Sequence, residues 1–190
     1  WKDILEAGSE FGIQACGLGA RDSLRAGAVL PLSHQDIGHW PFANTPWPFA
    51  LPMNDEGTGF SKEFIGSEAL VNLENPEFTH AFAGTSVRKV PSGEKSQVID
   101  GEGNLIGTIL TCATDMGIGR VDGKIVSITS PDRPEGYTPK GLACGFVKVS
   151  RKLSLGEEIT LKEGKRKILV EVVSDVRPHR SARKPIREML

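Results

Sequence analysis

Two arginines, Arg21 and Arg25, have the side-chain type and the spacing that point most directly to chemistry. They lie four residues apart, so a helix would place both guanidinium groups on one face. The preceding run, Gly17-Leu18-Gly19-Ala20, contains small residues that let a backbone approach its neighbour closely. Two fixed guanidinium groups could bind the carboxylates of a ligand. An ordinary solvated or ion-paired helix is the other interpretation of these residues.

Two histidines, His34 and His39, flank Asp36 and suggest a metal site or acid–base chemistry. They lie in a proline-rich stretch, and no further ligand follows at a spacing typical of metal centres. We therefore predict no metal site here.

Aromatic residues crowd the segment just after these histidines: Trp40, Phe42, Trp47 and Phe49. Such side chains could form the walls of a pocket for a flat heteroaromatic ligand. They could equally form the small core of a loop that covers the protein surface.

Several common site motifs are absent from the sequence. It contains no phosphate-binding P-loop, no GxSxG nucleophile elbow and no paired Cys or His at zinc spacing. Gly17-Leu18-Gly19 has neither the third glycine nor the preceding strand of a dinucleotide fingerprint.

Composition limits the classes of partner. The 190 residues carry a formal net charge of −1, which disfavours nucleic-acid binding. No apolar run approaches the ~20 residues that span a bilayer, so we expect no membrane association.

Residues 162–190 differ from the rest of the chain in charge, with nine Lys and Arg against four Asp and Glu. This basic C-terminal region is either a solvated strand and terminus or a docking surface. The arginines of that surface would be Arg177, Arg180, Arg183 and Arg187.

The three cysteines, Cys16, Cys112 and Cys144, are too few and too scattered for a disulfide framework. We expect buried thiols in a reducing cytoplasm.

Because the chain begins at Trp1 rather than Met, we also expect it to be part of a longer protein.

The elements that position these residues fall into two groups. Residues 1–16 predict a short packed amphipathic helix that ends at Gly8 or Gly12. Asp22 or Ser23 could cap a second helix that runs toward Leu30. Five prolines between residues 31 and 66 then predict an irregular loop, and Ser67 could cap another short helix.

From Phe78 onward, short apolar and β-branched runs alternate with turn signals such as Asp122-Gly123. Seven strands at this spacing predict an antiparallel barrel or sandwich. The runs are HAFAGTSV, SQVID, IGTILTCAT, KIVSITS, GLACGFVKV, EEITLKE and KRKILVEVV.

The motifs resemble the C-terminal half of the glycine cleavage T protein (aminomethyltransferase) family and of related folate-dependent methyltransferases and demethylases. The most specific match is CGLGARDSLR at residues 16–25. Weaker matches follow in the same order: Leu30-Pro31-Leu32, Gln35-Asp36-Ile37, Phe64-Ile65-Gly66, Glu68-Ala69-Leu70, Ile106-Gly107-Thr108 and Gly141-Leu142-Ala143.

The resemblance implies an α+β fold in which a short helical and loop segment precedes an antiparallel β-barrel. Residues 1–77 would be the C-terminal end of the folate-binding body, residues 78–176 the barrel and residues 177–190 a basic tail. It also implies transfer of a one-carbon group from an amine or a methylated donor to tetrahydrofolate. The family's catalytic carboxylate comes from its N-terminal half, so this chain would be inactive alone, or would be a non-catalytic folate- or partner-binding module.

The resemblance further implies which residues contact folate. Arg21 matches an arginine that lines the family's folate site, and Arg25 matches a second arginine of more structural role. Ala50 and Phe82 stand where relatives have a tryptophan and an arginine. The pocket wall would therefore be rebuilt by Trp40, Trp47 and Phe49. Gly27 replaces a family glutamate, and Ser33-His34 replaces Tyr-Gly. A lipoyl carrier protein is the implied protein partner.

Overall fold

A run of short strands begins at Phe78, where apolar and β-branched residues replace the proline-rich sequence before it. The structure is a computed structural model that describes residues 1–40, 51–74, 76–177 and 187. The strands are β1 (Phe78–Gly84), β2 (Gln97–Ile99), β3 (Leu105–Asp115), β4 (Ile118–Val121), β5 (Lys124–Ser127), β6 (Leu142–Val149), β7 (Glu158–Glu163) and β8 (Arg166–Val173).

Six of these strands close into a barrel in the order β1-β6-β3-β2-β7-β8, and β8 pairs back with β1. All of these pairings are antiparallel. The predicted antiparallel β-barrel is therefore confirmed.

The remaining two strands, β4 and β5, form a separate hairpin beside the barrel. Asp122 and Gly123 connect them, both at positive φ, as a type I′ turn requires. The sequence predicted this turn and β5 but not β4, because Gly119 and Arg120 interrupt the apolar pattern between Ile118 and Val121.

The barrel strands bury side chains on both faces. One set fills the barrel interior, including Phe82, Ile109, Val147 and Leu161. A second set lies on the outer face of β3 and β6, where Ala113, Cys144 and Phe146 pack with Ala26 and Val29. This second core attaches a helix to the outside of the barrel.

That helix is α2 (Leu18–Gly27), and it differs from the predicted second helix at both ends. Gly17 is its N-cap, whereas Asp22 and Ser23 lie inside it and use their side chains elsewhere. It ends before Leu30, because the amide of Leu30 donates to the carbonyl of Arg25 and turns the chain.

The short helix predicted within residues 1–16 is present and ends at Gly8 as predicted, but the prediction that it is packed is wrong. Helix α1 spans Lys2–Ala7 and a 3₁₀ turn spans Ser9–Phe11, and neither buries any residue. Trp1 is 76% exposed and Phe11 82% exposed, so the apolar positions of this segment cover nothing in the described chain.

Helix α3 (Ser67–Val71) follows the proline-rich segment. Its N-cap is Gly66 at φ 90°, not Ser67, which is the first helical residue. Over the described residues, no helix is long and apolar enough to cross a membrane.

Candidate functional site

A groove with a volume of about 600 Å³ runs along α2 on the side facing away from the barrel. Most of its lining comes from residues three or four apart, which share one helix face. The exposed lining surface is mostly apolar. The lining residues are Cys16, Gly17, Ala20, Arg21, Leu24, Arg25, Ala28, Leu30 and Arg177.

Packing on the opposite face fixes the orientation of this helix. Ala26 and Val29 are fully buried against the outer face of β3 and β6. Ser23 also donates a hydrogen bond to the carbonyl of Thr114 at 2.7 Å. With one face committed to the barrel, the face that carries Ala20, Arg21 and Leu24 must point outward.

Arg21 lines the groove and is exposed. Among the described residues, no side chain or carbonyl forms an ion pair or hydrogen bond with its guanidinium, which carries five N–H donors. This placement fits the anion-binding interpretation of the sequence for this residue.

Arg25 is buried, and its guanidinium is fully engaged. Nε donates to Asp22 at 2.8 Å, Nη1 to Asp36 at 2.5 Å and Nη2 to the Thr111 hydroxyl at 3.1 Å. The ion-paired interpretation therefore describes Arg25. It holds the floor of the groove in place and has few donors left for a ligand.

Asp36 is the centre of this buried network, and sequence reasoning did not identify that role. Its carboxylate is completely buried and accepts from Arg25, from the Thr111 hydroxyl at 2.7 Å and from the Leu32 amide at 2.9 Å. Gln35 also donates to the Thr111 hydroxyl at 2.7 Å. The only sequence signal was the Gln35-Asp36-Ile37 motif, which gives no indication of a partner 75 residues away.

The histidines on either side of Asp36 do not join it. His34 and His39 are both exposed, and His34 interacts with the neighbouring Ser33 hydroxyl at 2.9 Å. No group of three potential metal ligands occurs among the described residues.

A second ion pair closes one end of the groove. Arg177 donates through Nε and Nη2 to the two carboxylate oxygens of Asp115, which is 2% exposed. A Cβ atom at Gly27 would overlap the Asp115 carboxylate. The absence of a side chain at Gly27 therefore leaves room for this pair. The pair also means that Arg177 has an internal partner.

Trp40 lies against the barrel and is not among the groove-lining residues. Its indole Nε1 donates to the Thr79 hydroxyl at 2.7 Å, and Lys148 Nζ lies 4.8 Å from the ring centroid. Thr79 in turn donates to the backbone carbonyl of Asp36 at 3.2 Å. Trp47, Phe42, Phe49 and Ala50 lie outside the described residues, and Phe82 is a fully buried barrel-core residue.

The prediction of three buried thiols holds for one cysteine. Cys144 is buried, and burial raises its pKa to about 12, so it stays a neutral thiol that packs under α2. Cys112 is half-buried, and burial also raises its pKa. Cys16 is exposed and lines the groove.

Sequence comparison relates this chain to aminomethyltransferases, although no known family model matches it. It is 33% identical over 121 residues to the aminomethyltransferase of Symbiobacterium thermophilum, covering 58% of this chain and 28% of that protein. It is 34% identical over 137 residues to that of Bacillus subtilis, covering 58% and 37%. Over 75 residues it is 57% identical to the Halalkalibacterium halodurans protein, covering 37% and 18%.

A solved structure, the glycine cleavage system aminomethyltransferase T of Bartonella henselae, has the same fold. The TM-score is 0.53 at 22% sequence identity, covering 87% of this chain and 40% of that one. The chain thus spans well under half the length of the relatives it matches. The chain is thus similar in sequence to aminomethyltransferases and in fold to the glycine cleavage T protein, in both cases over a portion of their length.

Proposed function

We propose that this chain is the C-terminal portion of a tetrahydrofolate-dependent, aminomethyltransferase-like enzyme. The complete enzyme transfers a one-carbon group from an amine or a methylated donor to tetrahydrofolate. Sequence similarity to aminomethyltransferases over more than half of the chain supports this proposal. In this scheme, residues 1–77 complete the folate-binding body, residues 78–176 form the C-terminal barrel and residues 177–190 are a basic tail.

The observation that carries the proposal is the exposed Arg21 guanidinium in an apolar groove, where no described residue pairs with it. Apolar walls such as Leu24 and Leu30 suit a flat heteroaromatic ring, and a guanidinium suits its acceptor atoms or a carboxylate. Tetrahydrofolate, when bound, supplies the nitrogen that accepts the one-carbon group.

The residues of this chain contribute binding and orientation. Arg25, Asp36 and Thr111 hold α2 to the barrel, so Arg21 is presented from a fixed backbone. A ligand oriented in this way meets its reaction partner at a lower entropic cost. The apolar lining also excludes water from the bound ring.

A non-catalytic folate- or partner-binding module is the alternative function, and one observation favours it for the chain alone. None of the described residues that line the groove is a carboxylic acid or a histidine. Among the described lining residues, the groove therefore offers binding groups and only the Cys16 thiol as a side chain of a type that transfers protons.

We further propose a lipoyl carrier protein as the macromolecular partner of the complete enzyme and the cytoplasm as its compartment. The basic charge of residues 162–190 suits an acidic partner surface. The three free cysteines are consistent with a reducing compartment.

The first test is calorimetric titration of tetrahydrofolate into this chain and into its Arg21→Ala variant. We expect wild-type binding and a loss of about tenfold or more in affinity for the variant, because a charge-assisted contact disappears. Arg133→Ala is the matched control, since Arg133 is also exposed and has no described ion pair. The proposed role of Arg21 fails if Arg21→Ala and Arg133→Ala bind equally well.

If the isolated chain does not bind, the same substitution is made at the arginine that aligns with Arg21 in a full-length relative. Unchanged folate affinity there would remove Arg21 from the site. A turnover assay on this chain separates the two functions: formation of one-carbon-loaded folate without a further segment would show that the chain is catalytic by itself.

A further inference from the structure

We propose that a cleft between the end of β1 and the first half of β8 is a binding site for a phosphate or carboxylate group, distinct from the groove along α2. The cleft has a volume of about 170 Å³. Its lining residues are Gly84, Thr85, Ser86, Arg88, Lys167, Ile168 and Leu169.

The charges of the cleft have one sign. Arg88 and Lys167 are the two ionisable residues of the lining, and both are cationic. Within the part of the chain that the structure describes, neither head group forms an ion pair or a hydrogen bond. An oxyanion between them would receive charge-assisted hydrogen bonds from both.

Neighbouring residues increase the positive charge beside the cleft. Lys162 on β7 is the direct cross-strand partner of Lys167, so both side chains point to the same outer face. Like charges placed directly opposite each other are unfavourable in a sheet. A bound anion would relieve that repulsion.

Arg88 is presented from a segment that the barrel holds in place. The Ala143 amide donates to the carbonyl of Ser86 at 2.7 Å, and the Thr114 hydroxyl donates to the carbonyl of Val87 at 3.2 Å. Val90 is buried in the barrel core. These anchors fix the backbone on both sides of Arg88, which lowers the entropic cost of binding.

Hydroxyl groups complete the donor set. Thr85 and Ser86 line the cleft beside the two cations, and the Ser86 hydroxyl accepts from the Arg88 amide at 3.4 Å. That acceptance leaves the Ser86 hydroxyl proton free to point into the cleft. Cations and hydroxyl donors together match the acceptor-only chemistry of an oxyanion.

The test is an NMR titration of the whole chain at low ionic strength, with methyl phosphate and acetate as separate probes. We expect saturable shifts of the amide signals of residues 84–88 and 167–169. The probe that binds more tightly identifies the preferred oxyanion. Arg88→Ala and Lys167→Ala should each weaken binding about tenfold, because each removes a charged donor.

Lys124→Ala is the matched control, since Lys124 is an exposed lysine on the β4–β5 hairpin. It should bind both probes as the wild type does. The proposal is overturned by unsaturable shifts, by equal shifts around Lys124, or by wild-type affinity in Arg88→Ala and Lys167→Ala. Because the readout excludes folate and turnover, failure here leaves the proposed function unaffected.

Discussion

Arg21 and Arg25 have the same side chain on the same helix but opposite surroundings. Arg25 is bound by two carboxylates and a hydroxyl, whereas Arg21 has no partner among the described residues. A buried guanidinium with few remaining donors is a structural group, and an exposed one beside an apolar groove is available to a ligand. The ion-paired interpretation thus describes Arg25, while anion binding by Arg21 stays a prediction.

The buried network provides the first stability prediction. Asp36→Ala would leave Arg25 without its principal partner in a buried position and should lower the free energy of unfolding by about 3–5 kcal/mol. Urea denaturation followed by circular dichroism measures the change. Arg21→Ala, an exposed change on the same helix, should alter the same quantity by no more than about 0.5 kcal/mol. Equal effects of the two variants would show that the Asp36 network does not stabilise the fold.

At the scale of elements, the amphipathic pattern and turn residues predicted α2, the β4–β5 turn and seven of the eight strands. Local sequence sufficed for the helix and the strands because apolar residues recur at the spacing of each element. It sufficed for the turn because Asp-Gly is typical of such turns. The caps of α2 and α3 were misassigned, because glycines occupy both cap positions. In α2, the Asp22 and Ser23 side chains also bond to other partners.

The candidate site was less predictable than the fold. Trp40 contacts Thr79 and Lys148, and Asp36 contacts Thr111, each across a long stretch of sequence. Such pairings depend on how the barrel brings distant strands together, which periodicity does not reveal. The apolar residues at 1–16 have helical spacing. That spacing does not show which other part of the protein, if any, packs against the apolar face.

The contact between α2 and β3 leads to the second stability prediction. In an ordinary helix, replacing glycine with alanine stabilises by up to about 1 kcal/mol. Gly27→Ala should instead destabilise by about 1–3 kcal/mol, because the added methyl group overlaps the buried Asp115 carboxylate. Gly19→Ala, in the same helix with no atom within 4 Å of its added Cβ, should show the ordinary stabilisation. Thermal denaturation compares the two, and stabilisation by both would contradict the proposed close contact.

The stability of the whole molecule should depend on pH through His80. Its Nε2 accepts from the Leu153 amide at 3.1 Å, and burial, assisted by the charge of Lys152, lowers its pKa from 6.5 to about 4. The folded protein keeps this histidine neutral while the unfolded chain binds a proton. Its contribution to stability is therefore complete above pH 6.5 and is lost as the pH falls toward about 4.

Chemical denaturation across that pH range measures this loss. His80→Gln retains a hydrogen-bond acceptor but does not titrate, so its stability should fall less than that of the wild type. His34→Gln changes an exposed histidine and should keep the wild-type pH dependence. If His80→Gln loses stability as steeply as the wild type, His80 is not the responsible group.

The pairing of the first barrel strand with the last has a mechanical consequence. Ala81 lies opposite Val173 and Gly84 opposite Val170, so the chain enters and leaves the barrel at the same end. A force that pulls residues 78 and 173 apart would act across this strand pair, not along it. The hydrogen bonds between β1 and β8 would then break one after another, beginning at this end. The barrel would therefore open between these two strands at a low pulling force.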